Sequence, residues 1–135
     1  MNDEKRLRQH PAERFAAPEH LIDLHKAVEA LRREPHKGTS GHRQKALYRH
    51  GPIECLVFLF EEGSVLTDHV VNGGPVAIQV LDGAISIKTP DARHEMRAGS
   101  LLLLATGVVH SVTVEQPSSM LLTVYLDDPN LSPAE

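Results

Sequence analysis

The nine histidines are the residues of this 135-residue chain with the most versatile chemistry. A neutral imidazole offers one hydrogen-bond donor and one acceptor, and it is also a common metal ligand. His69 and His110 each lie inside an apolar run, whereas the histidines before residue 45 lie in polar stretches where solvated side chains are the default. His94 and Glu95 are adjacent in a predicted hairpin, so their side chains point to opposite faces and do not form a chelating pair.

Other catalytic signatures are missing from the sequence. It has no nucleophile elbow, no CxxC pair and no phosphate-binding glycine loop, and Gly73-Gly74 is more simply a turn. Cys55 is the single cysteine, which excludes an intrachain disulfide and fits a reducing compartment. We therefore expect a cytoplasmic protein in which Cys55 is a buried, inert thiol.

Charge and hydropathy exclude several partner classes. The 14 Lys and Arg against 18 Asp and Glu give a net charge of -4, which argues against a nucleic-acid partner. No apolar run reaches the roughly 18 residues that a membrane span needs. Residues 1–9 are charged and contain no apolar segment, so we expect no secretory signal and no membrane partner.

The pattern along the chain predicts four segments. Residues 1–18 form a flexible arm, 19–44 a helix and connector, 45–126 a barrel domain and 127–135 a tail. The helix is predicted over 19–33, because four leucine and valine residues recur there at helical spacing. These apolar residues are Leu21, Leu24, Val28 and Leu31.

After Lys45, apolar runs of a few residues alternate with Gly, Pro, Asn and Asp, which is typical of short strands. Asp82-Gly83 stands between two such runs and predicts a two-residue hairpin turn. Many short strands at this spacing predict a sandwich or barrel. The runs are Ala46–Tyr48, Ile53–Phe60, Val65–Val71, Val76–Leu81, Ala84–Ile87, Leu101–Ala105, Val108–Val114 and Met120–Leu126.

Two spaced motifs within this region resemble those of the cupin superfamily. Gly63 is followed by five residues and His69, as at the start of the first cupin motif. The spacing of Gly99, Gly107 and His110 matches the second motif, although Ala105 and Val114 replace its usual Pro and Asn. The resemblance implies an all-β, cupin-type jelly-roll β-barrel, here preceded by a short N-terminal α-helix.

The resemblance also implies where a metal would bind. The four ligand positions of metal-holding cupins correspond here to His69, Val71, Val76 and His110. Valine has no lone pair to donate, and a stably bound divalent ion usually needs three good ligands. Gln79 is the best substitute by chemistry, but strand alternation from Val76 places it on the other face. We therefore expect no cofactor, with a divalent metal at the two histidines as a weaker alternative.

These observations favour a non-enzymatic barrel that binds a small carbonyl or carboxylate ligand in a mostly apolar pocket. One alternative is a metal-dependent dioxygenase, isomerase or decarboxylase that uses His69 and His110. Another is a scaffold or regulatory interaction module, which would have a filled interior. Open sheet edges and the family resemblance both indicate a homodimer. The predicted pocket residues are His69, Val71, Val76, Ile78, Val80 and His110.

Overall fold

The computed structural model describes residues 18–35, 41–69 and 74–126, and the predicted arm and tail therefore lie almost wholly outside the described residues. These ranges contain one helix and nine strands. The helix α1 spans Leu24–Arg33. The strands are β1 His42–His50, β2 Ile53–Phe60, β3 Val65–His69, β4 Val76–Asp82, β5 Ala84–Lys88, β6 Arg93–Arg97, β7 Leu101–Leu104, β8 His110–Val114 and β9 Ser118–Tyr125.

The strands form two antiparallel sheets. The five-stranded sheet has the order β1-β2-β9-β4-β7, and the four-stranded sheet has the order β3-β8-β5-β6. Successive strands from β2 onward mostly alternate between the sheets, which is the connectivity of a jelly roll. The all-β fold class predicted from the sequence is thus confirmed.

The space between the sheets holds the main hydrophobic core, called the inner core below. Its members come from seven of the nine strands, because every second residue of a strand points to the same face. Ile78, Val80, Ile87 and Val114 are among its most deeply buried members. The full inner core consists of Phe58, Phe60, Val76, Ile78, Val80, Ile85, Ile87, Met96, Leu104, Val112, Val114, Met120, Leu122 and Val124.

The helix α1 packs on the opposite, outer face of the five-stranded sheet. It begins after Asp23, whose side chain accepts a hydrogen bond from a first-turn amide at 3.1 Å, and not at Glu19 as predicted. Leu21 therefore lies outside the helix and is 99% exposed, so its predicted place on the apolar face is wrong. Val28 and Leu31 are buried as predicted. No helix among the described residues is long and apolar enough to cross a membrane.

The connection at Asp82-Gly83 is not the predicted hairpin. Gly83 does have a positive φ of 89°, but β4 and β5 belong to different sheets and do not pair. A Cβ atom at Gly83 would come within 2.6 Å of the Pro117 carbonyl oxygen, so glycine is required for close packing as well as for conformation. The turn therefore carries the chain from one sheet to the other.

Strand β6 was not among the predicted apolar runs, but with β5 it forms the hairpin predicted around His94 and Glu95. Its sequence is mostly polar, and only Met96 is buried in the inner core. The strand lies at an edge of the four-stranded sheet and, among the described strands, pairs with β5 alone. Three of its five residues are exposed. An edge strand with one core residue leaves almost no hydropathy signal in the sequence.

Candidate functional site

The two histidines of the cupin-like motifs occupy opposite positions on neighbouring strands. His69 of β3 and His110 of β8 are direct Cα partners in the antiparallel ladder. The register shifts by one residue between Leu66 and His69. An unbroken register would instead pair Asp68 with His110, so this irregularity determines which residue is the ladder partner of His110.

His110 is buried, with 4% of its surface exposed. In β8 it shares its face with Val112 and Val114, both of which belong to the inner core. Its Nδ1 atom lies 3.2 Å from the Val108 carbonyl oxygen. Because a carbonyl oxygen can only accept, this bond requires the proton on Nδ1 and fixes the orientation of the ring.

A cavity of about 250 Å³ lies beside His110, at the end of β5 and the start of β8. Thr89 closes the turn that leads into β6, since its hydroxyl is 3.3 Å from both the amide and the carbonyl of Ala92. The lining combines a cation, hydroxyls, an imidazole and two apolar side chains. These residues are Lys88, Thr89, Pro90, Val109, His110 and Ser111.

The sequence did not point to Lys88, Thr89 or Ser111 as site residues. Lys88 and Ser111 become neighbours only because β5 pairs with β8, where they are direct partners. The two positions are 23 residues apart, and the pairing of distant strands cannot be read from local hydropathy. The only local signal was the Thr89-Pro90 turn, whose composition indicates a loop without indicating a site.

The predicted pocket residues of β4 lie in the inner core. Val76, Ile78 and Val80 are at most 7% exposed and pack among the other core side chains. Gln79 alternates with them and is half-buried on the outer face. Val71 lies outside the described residues. That these residues line a ligand pocket remains a prediction.

The residue types at the four positions that correspond to cupin metal ligands do not match the metal site of metal-holding cupins. Val76, at one of the four ligand positions, is a buried hydrocarbon that cannot coordinate an ion. Among the described residues, no three His, Cys, Asp or Glu side chains lie close enough together to hold a metal. A metal bound by His69 and His110 remains a prediction.

Comparison with known proteins finds similarity at the level of the fold. No protein-family model matches the sequence, and no curated protein matches it significantly. Among solved structures, a cupin superfamily protein from Desulfitobacterium hafniense is 16% identical with a TM-score of 0.65, over 84% of this chain and 96% of that one.

Two further structures show the same likeness. An RmlC-like cupin from Shewanella frigidimarina is 13% identical with a TM-score of 0.61, over 70% of this chain and 84% of that one. Salicylate 1,2-dioxygenase from Pseudoaminobacter salicylatoxidans is 14% identical with a TM-score of 0.70, over 82% of this chain and 34% of the larger enzyme. At these identities the likeness concerns the fold.

Proposed function

The chain has the cupin fold, and we propose that it binds a small carboxylate in the cavity beside His110 without catalysing a reaction. The single observation behind this proposal is that this cavity adjoins a buried, oriented imidazole at the end of the jelly roll. The fold alone does not carry the proposal, because cupin-fold neighbours include both dioxygenases and proteins of unknown function.

The chemistry of the lining supports a carboxylate. Lys88 supplies a positive charge, and the Ser111 hydroxyl can donate a hydrogen bond to an oxygen. Pro90 and Val109 supply apolar surface for the hydrocarbon part of the ligand. A volume of about 250 Å³ is below the usual range for drug-sized ligands, so the ligand is a small metabolite-like acid.

The inner core favours one other candidate, the interaction module. Among the described residues, side chains from both sheets pack there, and Ile78, Val80 and Ile87 are fully buried. A cupin-fold chain with such a core could act as a scaffold that presents its surface to a partner. Ligand binding beside His110 distinguishes the two candidates, since a scaffold needs no occupant in that cavity.

The first experiment is a titration with small aliphatic and aromatic monocarboxylates and with their neutral amides. Binding is measured by amide chemical shifts and by the melting temperature. Because Lys88 is exposed, Lys88→Met should fold and should weaken carboxylate binding about fivefold while leaving amide binding unchanged. Lys26→Met, an exposed lysine on α1, is the matched control. A carboxylate-to-amide preference that survives Lys88→Met would overturn the proposal.

A second experiment addresses the metal-dependent enzyme. Tag-free protein is incubated with iron, manganese, nickel or zinc, desalted and analysed for metal content. Our proposal predicts retention well below one ion per chain. Near one equivalent, lost in His69→Ala, would replace our proposal with a metal site and direct the search to its third ligand.

A further inference from the structure

A second cavity lies on the other side of the five-stranded sheet, between its outer face and α1. Its volume is about 210 Å³, several times the roughly 30 Å³ that one water occupies in the liquid. The helix contributes His25, Glu29 and Arg32, which share one helical face. The sheet contributes Asp82 and Ser119.

Ser119 is the unusual member of this lining. It is 1% exposed, and its Oγ atom has no hydrogen-bond partner among the described residues. In β9 it alternates with inner-core Met120 and Leu122, so its side chain faces the helix. A buried hydroxyl without a partner destabilises a folded protein, so a group in the cavity is expected to bond it.

The charges around the cavity indicate what that group is. Glu29 and Arg32 form an ion pair at 3.3 Å and largely neutralise each other. The Asp82 carboxylate forms no ion pair within the described part of the chain. It lies beside Ser119, its direct partner in the β4·β9 ladder. Among the described residues that line the cavity, Asp82 is therefore a carboxylate without an ion-pair partner, next to an unsatisfied hydroxyl.

From this juxtaposition we infer that the cavity under α1 is a binding site for a small organic ammonium. The ammonium group donates to the Asp82 carboxylate and to Ser119 Oγ, since its N–H groups can donate a hydrogen bond but not accept one. Buried Val28 and partly buried Leu81 cover the carbon atoms of the ligand. This site lies on the opposite side of the five-stranded sheet from the inner core and is separate from the cavity beside His110.

The helical wall of the site is held in place by Arg43 of β1. Its Nη1 atom donates to the carbonyl oxygens of Leu31 at 2.9 Å and Glu34 at 2.8 Å, at the C-terminal end of α1. Lys45, two residues further along β1, forms an ion pair with Glu34 at 2.8 Å. A wall fixed in this way reduces the ordering that binding would otherwise require.

The test is a titration of the full chain with 2-aminoethanol, followed by amide chemical shifts. Ethane-1,2-diol is the neutral probe of matched size, and acetate is the anionic probe. We expect 2-aminoethanol to shift the resonances of α1, Asp82 and Ser119, and ethane-1,2-diol to do so at least tenfold more weakly. Equal responses to the amine and the diol, or a response only to acetate, would overturn the inference.

Two pairs of variants sharpen the test. Ser119→Ala should weaken 2-aminoethanol binding about tenfold, and Asp82→Asn about threefold because Asp82 is exposed. Ser86→Ala and Asp91→Asn, on the other sheet and its loop, should leave binding unchanged. Lys88→Met should also leave it unchanged, which separates this site from the carboxylate site. If Ser119→Ala binds the amine as well as the parent chain does, the cavity holds only water and the inference fails.

Discussion

The two faces of the five-stranded sheet are built differently. The inner face meets the other sheet in a continuous hydrocarbon core that includes Ile78 and Val80, both 0% exposed. On the outer face, the described residues form a smaller cluster in which Val28 and Leu31 of α1 pack on Val57 and Leu59. We call this cluster the outer layer. It adjoins a buried hydroxyl and a cavity, whereas the inner core consists of apolar residues throughout.

The part of the molecule that stabilises the fold is therefore distinct from the parts that could recognise a ligand. Buried apolar side chains give the inner core its contribution to folding, and the polar group that could select a ligand, His110, lies at its margin. Both candidate sites lie where the packing ends, one beside His110 and one under α1. Polar groups are available at these margins because they can reach a cavity or solvent. Substitutions on each face measure how sharply the two faces differ in stability.

The largest effect is expected in the inner core. Ile78→Ala should lower the free energy of unfolding by about 4 kcal/mol, because it removes a fully buried side chain from a site that cannot collapse. Leu31→Ala in the outer layer should cost about 2.5 kcal/mol, since the helix can shift to fill the space. Urea denaturation measures both values. Equal losses would mean that the two faces contribute equally to the free energy of unfolding, contrary to the difference described above.

The next effect concerns the attachment of the helix. Arg43→Met should cost about 2 kcal/mol, because its charged hydrogen bonds to the end of α1 are lost. Hydrogen exchange should accelerate in α1 and stay slow in the inner-core strands. The matched control is Arg49→Met, an exposed arginine on the same strand, which should change stability by less than about 0.5 kcal/mol. Uniform acceleration throughout the chain would show that α1 does not open independently.

Alanine substitutions of two adjacent serines should change the stability of the protein in opposite directions. Ser118 Oγ accepts a hydrogen bond from the Ala84 amide at 3.0 Å. Its hydroxyl donates to the carbonyl oxygen of Gln116 at 2.8 Å. Ser118→Ala should therefore destabilise by about 1.5 kcal/mol, whereas Ser119→Ala should stabilise by about 1 kcal/mol by removing an unpartnered hydroxyl. Thermal unfolding measures both variants in amine-free buffer. A loss of stability in Ser119→Ala would show that its hydroxyl is well bonded in solution.

The smallest change in stability is expected on the part of the outer face that no other described residue covers. Leu103 of edge strand β7 is 69% exposed, so Leu103→Lys should alter the free energy of unfolding by less than about 0.5 kcal/mol. The same variant tests the predicted homodimer, since an exposed apolar edge strand is a natural place for two copies to pair. Sedimentation velocity of both proteins decides this point. A dimer that persists in Leu103→Lys would use another surface.

Local sequence signals determined the elements of this protein. Alternating apolar residues placed β4, and helical spacing placed Val28 and Leu31 on one face, because these periods follow directly from backbone geometry. The motif spacing around His69 and His110 also predicted the jelly roll. The sequence also placed His94 and Glu95 in a hairpin, which β5 and β6 form, but it began the helix too early, since one capping side chain leaves little periodic signal.

The tertiary structure alone decided how these elements meet. It placed β4 and β5 in different sheets, set the register shift that puts His69 opposite His110, and brought Lys88 beside Ser111. It also enclosed Ser119 beneath α1. Each of these depends on contacts between residues far apart in the chain, whose energies arise only when whole sheets pack. A local pattern specifies which face of a strand is apolar, but not which strand or helix covers it.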